Sequence, residues 1–295
     1  MNLEPAIFVG ESSDALARVY ATLPRDGLAD GARLEGELIG PYCRYSKTLP
    51  ARIHFADRGP GALLLAEAVV PDPCFWSPDL PFLYTVELSV AGDTGAGHES
   101  RQRHVRPFGI RRLGVQGKSL YLDAKRLVLR GVRIDPAAID DLIAAKKSAS
   151  ALYVTDPTDS FLREASEEGV LLVVELHTSQ RTTELSRLSR WPAVAIVVLS
   201  GDALAGKELR LVARNTLFAQ DSNAVHESTE LARWAHVLWW RIDSRTQFAN
   251  LPTPNLPIIA YRPSSKNATI EESRRACDRL QADLAPLGDF AGYFT

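Results

Sequence analysis

Long apolar runs are the first thing this sequence lacks. No window approaches the roughly 18 consecutive apolar residues of a membrane-spanning helix. Cysteine is scarce, with three in 295 residues. Cys43, Cys74 and Cys277 are odd in number, widely spaced and outside any CxxC pattern, so they read as buried thiols rather than a disulfide framework or a metal site. Net charge is nearly absent: 34 Lys and Arg against 36 Asp and Glu leave −2 at pH 7. That balance gives no electrostatic reason to expect nucleic acid or an anionic membrane as a partner. The opening Met1-Asn2-Leu3-Glu4-Pro5 has neither the basic start nor the apolar core of a secretory signal. A reduced, cytoplasmic compartment is expected, with no cofactor and no metal implied.

What is present is an ordinary globular composition, 45% hydrophobic and 24% charged. The length suggests two domains at about 150 residues each. Up to Arg112 the texture is β. Leu34–Ile39, Ala51–Phe55, Leu63–Val70 and Phe82–Val90 are short strand-like runs separated by Gly, Pro and Asp, which predicts an antiparallel sandwich of immunoglobulin-like type. Trp76 and Tyr84, flanking Pro78 and Pro81, are large enough to anchor its core. Phe108–Arg112 is read as its last strand. Ser119–Leu122 and Arg126–Arg130 form a hairpin leading into a second domain, so the expected division is residues 1–112 and 113–295.

The second part alternates strand and helix. Strand-like runs fall at Leu127–Val132, Ala151–Thr155, Val170–Leu176, Ala193–Leu199, Leu217–Gln220, His236–Ile242, Leu256–Tyr261 and Phe290–Phe294. Helices are expected at Pro136–Ser148, Thr158–Glu168, Thr182–Ser189, Leu204–Arg214, near Glu227–Trp234 and at Ile270–Ala285. Eight strands in βα alternation predict a (β/α)8 barrel, compact because such domains usually need about 250 residues. The run from Trp191-Pro192 to Ser200-Gly201-Asp202 is its most strongly apolar strand, and it delivers Asp202 to the carboxyl end, where barrel active sites are built.

Several segments carry a resemblance to glycoside hydrolase family 2, the β-galactosidase, β-mannosidase and β-glucuronidase group. Trp76-Ser77-Pro78 with Pro81 and Leu83-Tyr84 is similar to its W-S-P-x-x-P-x-L-Y strand, and Phe108-Gly109-Ile110-Arg111 to its F-G-F-R. Leu127–Val132 resembles the first barrel strand F-L-R-G-V-N, and Glu168–Glu175 resembles E-x-G-L-L-V-I-x-E. Trp191–Asp202 resembles H-P-S-I-I-x-W-S-L-G-N-E. The resemblance implies a sandwich followed by a barrel. It also implies a glutamate acid/base at the end of the fourth strand and a glutamate nucleophile at the end of the seventh. Those positions hold Asp202, preceded by Gly201, and Arg262 after Pro257-Ile258-Ile259-Ala260-Tyr261.

Retaining glycoside hydrolysis needs two carboxyl groups about 5–5.5 Å apart. A guanidinium stays protonated and offers no lone pair, so Arg262 cannot replace a nucleophilic carboxylate. Asp202 is one methylene shorter than glutamate. The expectation is a catalytically degenerate relative that acts as a binding or scaffold module, with a carbohydrate or another protein chain as partner. The alternative is a hydrolase with relocated carboxylates, Asp202 as acid and Glu175 or Asp243 as its partner. Asp135, Asp156, Glu175, Asp202, Asp221 and Asp243 lie at or just beyond strand carboxyl ends and are ligand-binding candidates, with Arg262 as counter-charge. Helix caps and ion pairs are nonetheless the expected use of these acids, since N-capping alone explains Asp135, Asp156 and Asp202, Asp135-Pro136 having the order of a cap before a first-turn proline. His177 is a candidate ligand or base, but no second histidine stands at metal spacing. Trp239 and Trp240 must point to opposite faces of their strand; one is a candidate sugar-stacking platform at the barrel mouth, but packing in the barrel and helix layer is the expected use of both.

Overall fold

The computed structural model describes residues 4–28, 31–92, 103–135, 137–177, 181–199, 209, 211–221, 231–242, 255–263 and 268–295. The chain forms two compact units, Met1–Arg111 and Arg112–Thr295.

The first unit contains strands β1 (Ala6–Ser12), β2 (Leu16–Pro24), β3 (Arg33–Tyr42), β4 (Ala51–Asp57), β5 (Leu63–Pro71), β6 (Leu83–Ala91) and β7 (Arg103–Phe108). They are antiparallel, in the order β1-β2-β5-β4-β3-β6-β7. β2 shows why the sheet has one apolar face: Ala17, Val19, Ala21 and Leu23 alternate with half-exposed neighbours and bury completely. β4 changes partner along its length. Ala51–Phe55 pair with β3, whereas Ala56 and Asp57 pair with β5, so the sheet curls around one core of Val19, Leu34, Leu38, Leu64, Val86 and their neighbours.

Trp76 and Tyr84 are both buried, and the Tyr84 hydroxyl accepts a hydrogen bond from the Cys74 backbone N–H at 3.0 Å. Burial pushes the Tyr84 phenol up to about 12. The last strand is Arg103–Phe108 and not the predicted Phe108–Arg112, which it meets only at Phe108. Ile110 still packs inside, but its carbonyl accepts from Trp76 N–H at 2.7 Å, so this backbone bonds to the Trp76 loop instead of extending the ladder. Arg111 lies with its Cζ 5.9 Å from the Trp76 ring centre, and burial lowers its guanidinium to about 9. Of the cysteines expected to be buried, only Cys277 is; Cys43 and Cys74 are half-buried.

The second unit opens with a meander, β8 (Leu113–Gln116), β9 (Ser119–Leu122) and β10 (Lys125–Leu127). Asp123 and Ala124, at φ +52° and +59°, make the β9–β10 turn, which has the left-handed pair of a type I′ hairpin. Because β10 pairs back onto β9, the first barrel strand begins two residues later than predicted.

The barrel strands are β11 (Leu129–Ile134), β12 (Ala151–Thr155), β13 (Leu172–Leu176), β14 (Val194–Leu199), β15 (Leu217–Asp221), β16 (Val237–Arg241), β17 (Ile258–Tyr261) and β18 (Gly292–Phe294). Each pairs in parallel with the next, and β11 closes on β18 through Leu129↔Gly292 and Gly131↔Phe294. The predicted eight-stranded parallel barrel is therefore closed.

Helices α1 (Ile139–Lys147), α2 (Asp159–Glu168), α3 (Arg181–Leu188) and α4 (Ile270–Leu284) are described around it. The helix expected at 204–214 lies mostly outside the described residues, as does the first half of that expected near 227–234, whose described residues 231–234 are coil and turn, not helix. Two capping expectations are corrected. Ala138, not Asp135, is the N-cap of α1, and the Asp141 carboxylate reaches back to the Ala138 N–H at 2.9 Å. Thr158, not Asp156, caps α2 by accepting from Phe161 N–H at 3.2 Å, while Asp156 sits in the left-handed region at φ +45°.

Candidate functional site

Parallel pairing aligns residues that point the same way, so register alone assigns the barrel lining. Starting from Tyr153, the ladder Arg133↔Tyr153, Asp221↔Trp239, Arg241↔Tyr261 and Tyr261↔Phe294 puts all of these side chains on one face. Contacts across the interior show that this face is inward. Tyr153 stands 4.7 Å from Trp239, 5.3 Å from Tyr261 and 6.5 Å from Phe294 between ring centres. Trp239 and Phe294 are 4.9 Å apart. Gly131 makes room for this layer, since a Cβ there would overlap the Phe294 ring.

Above the aromatic layer, toward the strand carboxyl ends, lies a charged layer. Arg133 Nη1 donates to Glu175 Oε2 at 2.8 Å, and Arg241 Nη2 donates to Glu175 Oε1 at 2.5 Å. Arg241 Nε donates to Asp221 Oδ2 at 2.9 Å, and Arg241 Nη2 lies 3.3 Å from the Tyr153 hydroxyl. Arg133 also reaches Thr155 Oγ1 at 3.4 Å and lies with its Cζ 4.8 Å from the Tyr153 ring centre. His177 Nε2 stands 3.4 Å from Glu175 Oε1 at the exposed edge. Glu175 and Asp221 are only 3% and 2% exposed, so both carboxylates are held by arginine below the surface.

The electrostatics follow from this geometry. Burial alone would raise the Glu175 pKa, but the Tyr153 hydrogen bond and the charges of Arg241, Arg133 and His177 outweigh it, and the carboxyl lies below its ordinary value. Burial is the largest cause keeping the Tyr153 phenol protonated, with the Glu175 charge second. Burial would lower the Arg241 pKa, yet its hydrogen bonds to Asp221 and the charges of Asp221 and Glu175 raise it overall. Glu175 is thus a fixed anion with both oxygens occupied, a poor proton donor and a hindered nucleophile.

The sequence candidates separate accordingly. Glu175, Asp221 and His177 come together in this layer. Asp135 and Asp156 are exposed and outside it. Trp239 is 0% exposed in the barrel core, and Trp240 stacks on Phe290 at 6.0 Å on the outer face, so neither offers an open sugar platform. Arg262 is not the counter-charge of the cluster. Alternation gives the inward position at the end of β17 to Tyr261 and turns Arg262 outward, where Nη1 donates to Asp283 Oδ2 on α4 at 3.0 Å. Asp202, Gly201 and Asp243 lie outside the described residues. Among the described residues no group of three or more His, Cys, Asp or Glu could hold a metal ion.

Arg133, Arg241, Tyr153 and Tyr261 were not singled out from sequence. The available signal was an arginine at or near the carboxyl end of each of two strands, Arg133 of β11, which also carries Arg130, and Arg241, the one charge of β16.

No family model matches the chain. Its sequence is 42% identical over 57 residues to a β-galactosidase large subunit of Latilactobacillus sakei, covering 19% of this chain and 9% of that protein. It is 33% identical over 67 residues to a β-galactosidase of Lactococcus lactis, covering 23% of this chain and 6% of that protein. The structural similarity is wider. A β-D-glucuronidase of Dictyoglomus thermophilum superposes with a TM-score of 0.65 at 13% identity, over 99% of this chain and 62% of that one. A glycosyl hydrolase family 2 member of Bacteroides cellulosilyticus gives 0.65 at 14% identity, over 99% of this chain and 43% of that one. The chain spans less than two thirds of these structures and under a tenth of the two curated proteins. In fold it resembles the family 2 glycosidases along nearly its whole length.

Proposed function

We propose that this chain is a catalytically degenerate relative of the family 2 glycosidases, serving as a binding or scaffold module for a carbohydrate or another protein chain. In this reading the first unit is an immunoglobulin-like sandwich. Its strand order supports that: β1-β2-β5-β4 and β3-β6-β7 reproduce the two sheets of that fold, with β4 bridging them.

The observation that carries the proposal is the closure of Glu175 between Arg133 and Arg241. A retaining site needs an open carboxyl pair with room for a sugar ring between its members. Here Glu175 and Asp221, the buried acids of the mouth among the described residues, are neutralised by arginine, and the aromatic layer beneath them fills the barrel. The end of the seventh strand presents Tyr261 inward, a phenol whose pKa is raised first by burial and which is therefore a weak nucleophile.

A turnover screen of the full chain against nitrophenyl β-glycosides, with Asp202→Asn as control, tests the proposal. The expected result is release of nitrophenol at the uncatalysed rate for both proteins. Turnover by the unaltered chain that disappears in Asp202→Asn would overturn it and establish a hydrolase with relocated carboxylates.

A further inference from the structure

Arg262 leaves the barrel interior at the end of β17, and the outer wall that it joins is concave. A cleft of about 340 Å³ lies there, lined by Arg262, Pro263, Ala276, Arg279, Leu280 and Asp283, with Thr295 beside them. An apolar cavity of about 150 Å³ is enough to hold benzene, so this volume admits one ring with a polar substituent.

Three elements build the cleft. Ala276, Arg279, Leu280 and Asp283 recur at positions i, i+3, i+4 and i+7 of α4, which places them on one face of that helix. Arg262 and Pro263 continue from β17, and the Arg262 N–H donates to the Phe294 carbonyl oxygen at 2.9 Å. Thr295 follows β18; its N–H donates to the Gly131 carbonyl oxygen at 3.1 Å and its Oγ1 to the Ser273 carbonyl oxygen at 3.0 Å. Leu280 and Thr295 are buried and form the floor, while Pro263, Arg279 and Asp283 are exposed at the rim. These hydrogen bonds fix the walls before any ligand arrives, which keeps the ordering cost of binding small.

The charges do not cancel. Arg262 Nη1 donates to Asp283 Oδ2 at 3.0 Å, so that pair is compensated internally. Arg279 has no ion-pair partner among the described residues. One excess positive charge therefore stands over an apolar surface of Pro263, Ala276 and Leu280.

We propose that this cleft binds a small organic monocarboxylate, its apolar body against Ala276, Leu280 and Pro263 and its carboxylate on Arg279, with Arg262 as a second donor. A guanidinium offers a carboxylate two parallel N–H groups, and a single excess charge selects a monoanion. The site lies outside the barrel, and the closed mouth plays no part in it.

The test is saturation-transfer NMR and calorimetric titration of the full chain with benzoate, alongside benzamide, which lacks the charge, and acetate, which lacks the ring. Saturable benzoate binding is expected, with benzamide and acetate each about tenfold weaker or worse, the size of a lost charge-assisted hydrogen bond or a lost buried ring. Arg279→Gln should weaken benzoate about tenfold, and Arg279→Lys should recover part of that loss, because an ammonium restores the charge without the paired donors. Arg279→Gln should keep the wild-type urea midpoint, which separates loss of the site from loss of the fold. Asp283→Asn removes the competing carboxylate and should strengthen binding. An absence of saturable benzoate binding, equal binding of benzamide or acetate, or benzoate affinity unchanged in Arg279→Gln would each overturn the proposal.

Discussion

At the scale of single residues, Glu175 is the group on which the barrel mouth depends. Its oxygens are shared between Arg133 and Arg241, and Arg241 also holds Asp221. Removing the anion leaves two guanidiniums facing each other with fewer acceptors, so Glu175→Gln is expected to cost about 3 kcal/mol in urea unfolding. The sign of its pH dependence follows from the lowered pKa. A carboxyl whose pKa is depressed on folding contributes in full above its unfolded value, about 4.3 for glutamate, and loses that contribution as pH falls through the folded value. The stability gap between wild type and Glu175→Gln should therefore be constant near neutrality and shrink below about pH 4. A gap that persists unchanged into acid would show that the carboxylate charge is not what stabilises the layer.

Elements obey local rules that can be tested one at a time. The β9–β10 turn places Ala124 at φ +59°, a conformation alanine tolerates poorly and glycine accepts freely. Ala124→Gly relieves that strain but enlarges the unfolded ensemble, leaving an expected net gain of about 0.5 kcal/mol. A loss on denaturation would mean that the alanine methyl packs. The closure of β11 on β18 depends on a glycine for a different reason. A Cβ at Gly131 would come within 2.6 Å of Phe294 Cδ1 and Cζ, and Phe294 is fully buried among Tyr153 and Trp239. Gly131→Ala is expected to destabilise by about 2 kcal/mol, the range of overpacked cores, and to perturb the near-ultraviolet aromatic signal.

These elements also show what was legible in the sequence. Val194–Leu199 was readable as a buried strand because both of its faces are covered, which demands an uninterrupted apolar run. The start of β11 was misplaced because Lys125–Leu127 has the same apolar-polar texture and differs only in having β9 to pair with. The caps of α1 and α2 were assigned to aspartates, whereas the loop geometry put Ala138 and Thr158 at those positions. The candidate site was legible only in part. Glu175 and Asp221 stood out as acids at strand ends, but their arginine partners lie 42 and 20 residues away in sequence. Register between distant strands, which no local pattern encodes, is what brings them together. The same register turned Arg262 outward, because a one-residue change in phase moves a side chain to the other face.

For the whole molecule, the question is whether a barrel this small is complete in itself. Arg112–Thr295 is shorter than the roughly 200 residues at the low end of such domains, which usually need about 250. Its ladder nonetheless closes from β11 through β18, and the aromatic layer within it comes from Tyr153, Trp239, Tyr261 and Phe294. Four of the five tryptophans, Trp191, Trp234, Trp239 and Trp240, belong to this unit and are buried in the protein, while Trp76 belongs to the other. A unit that supplies its own core folds alone. The fragment 112–295 is therefore expected to retain sharp tryptophan bands in near-ultraviolet circular dichroism and to unfold cooperatively in urea. The fragment 1–111 should add a Trp76 contribution, so that the two spectra sum to that of the intact chain. A fragment 112–295 that keeps its far-ultraviolet signal but loses the tryptophan bands would be a molten state, and would show that packing in the barrel depends on the first unit.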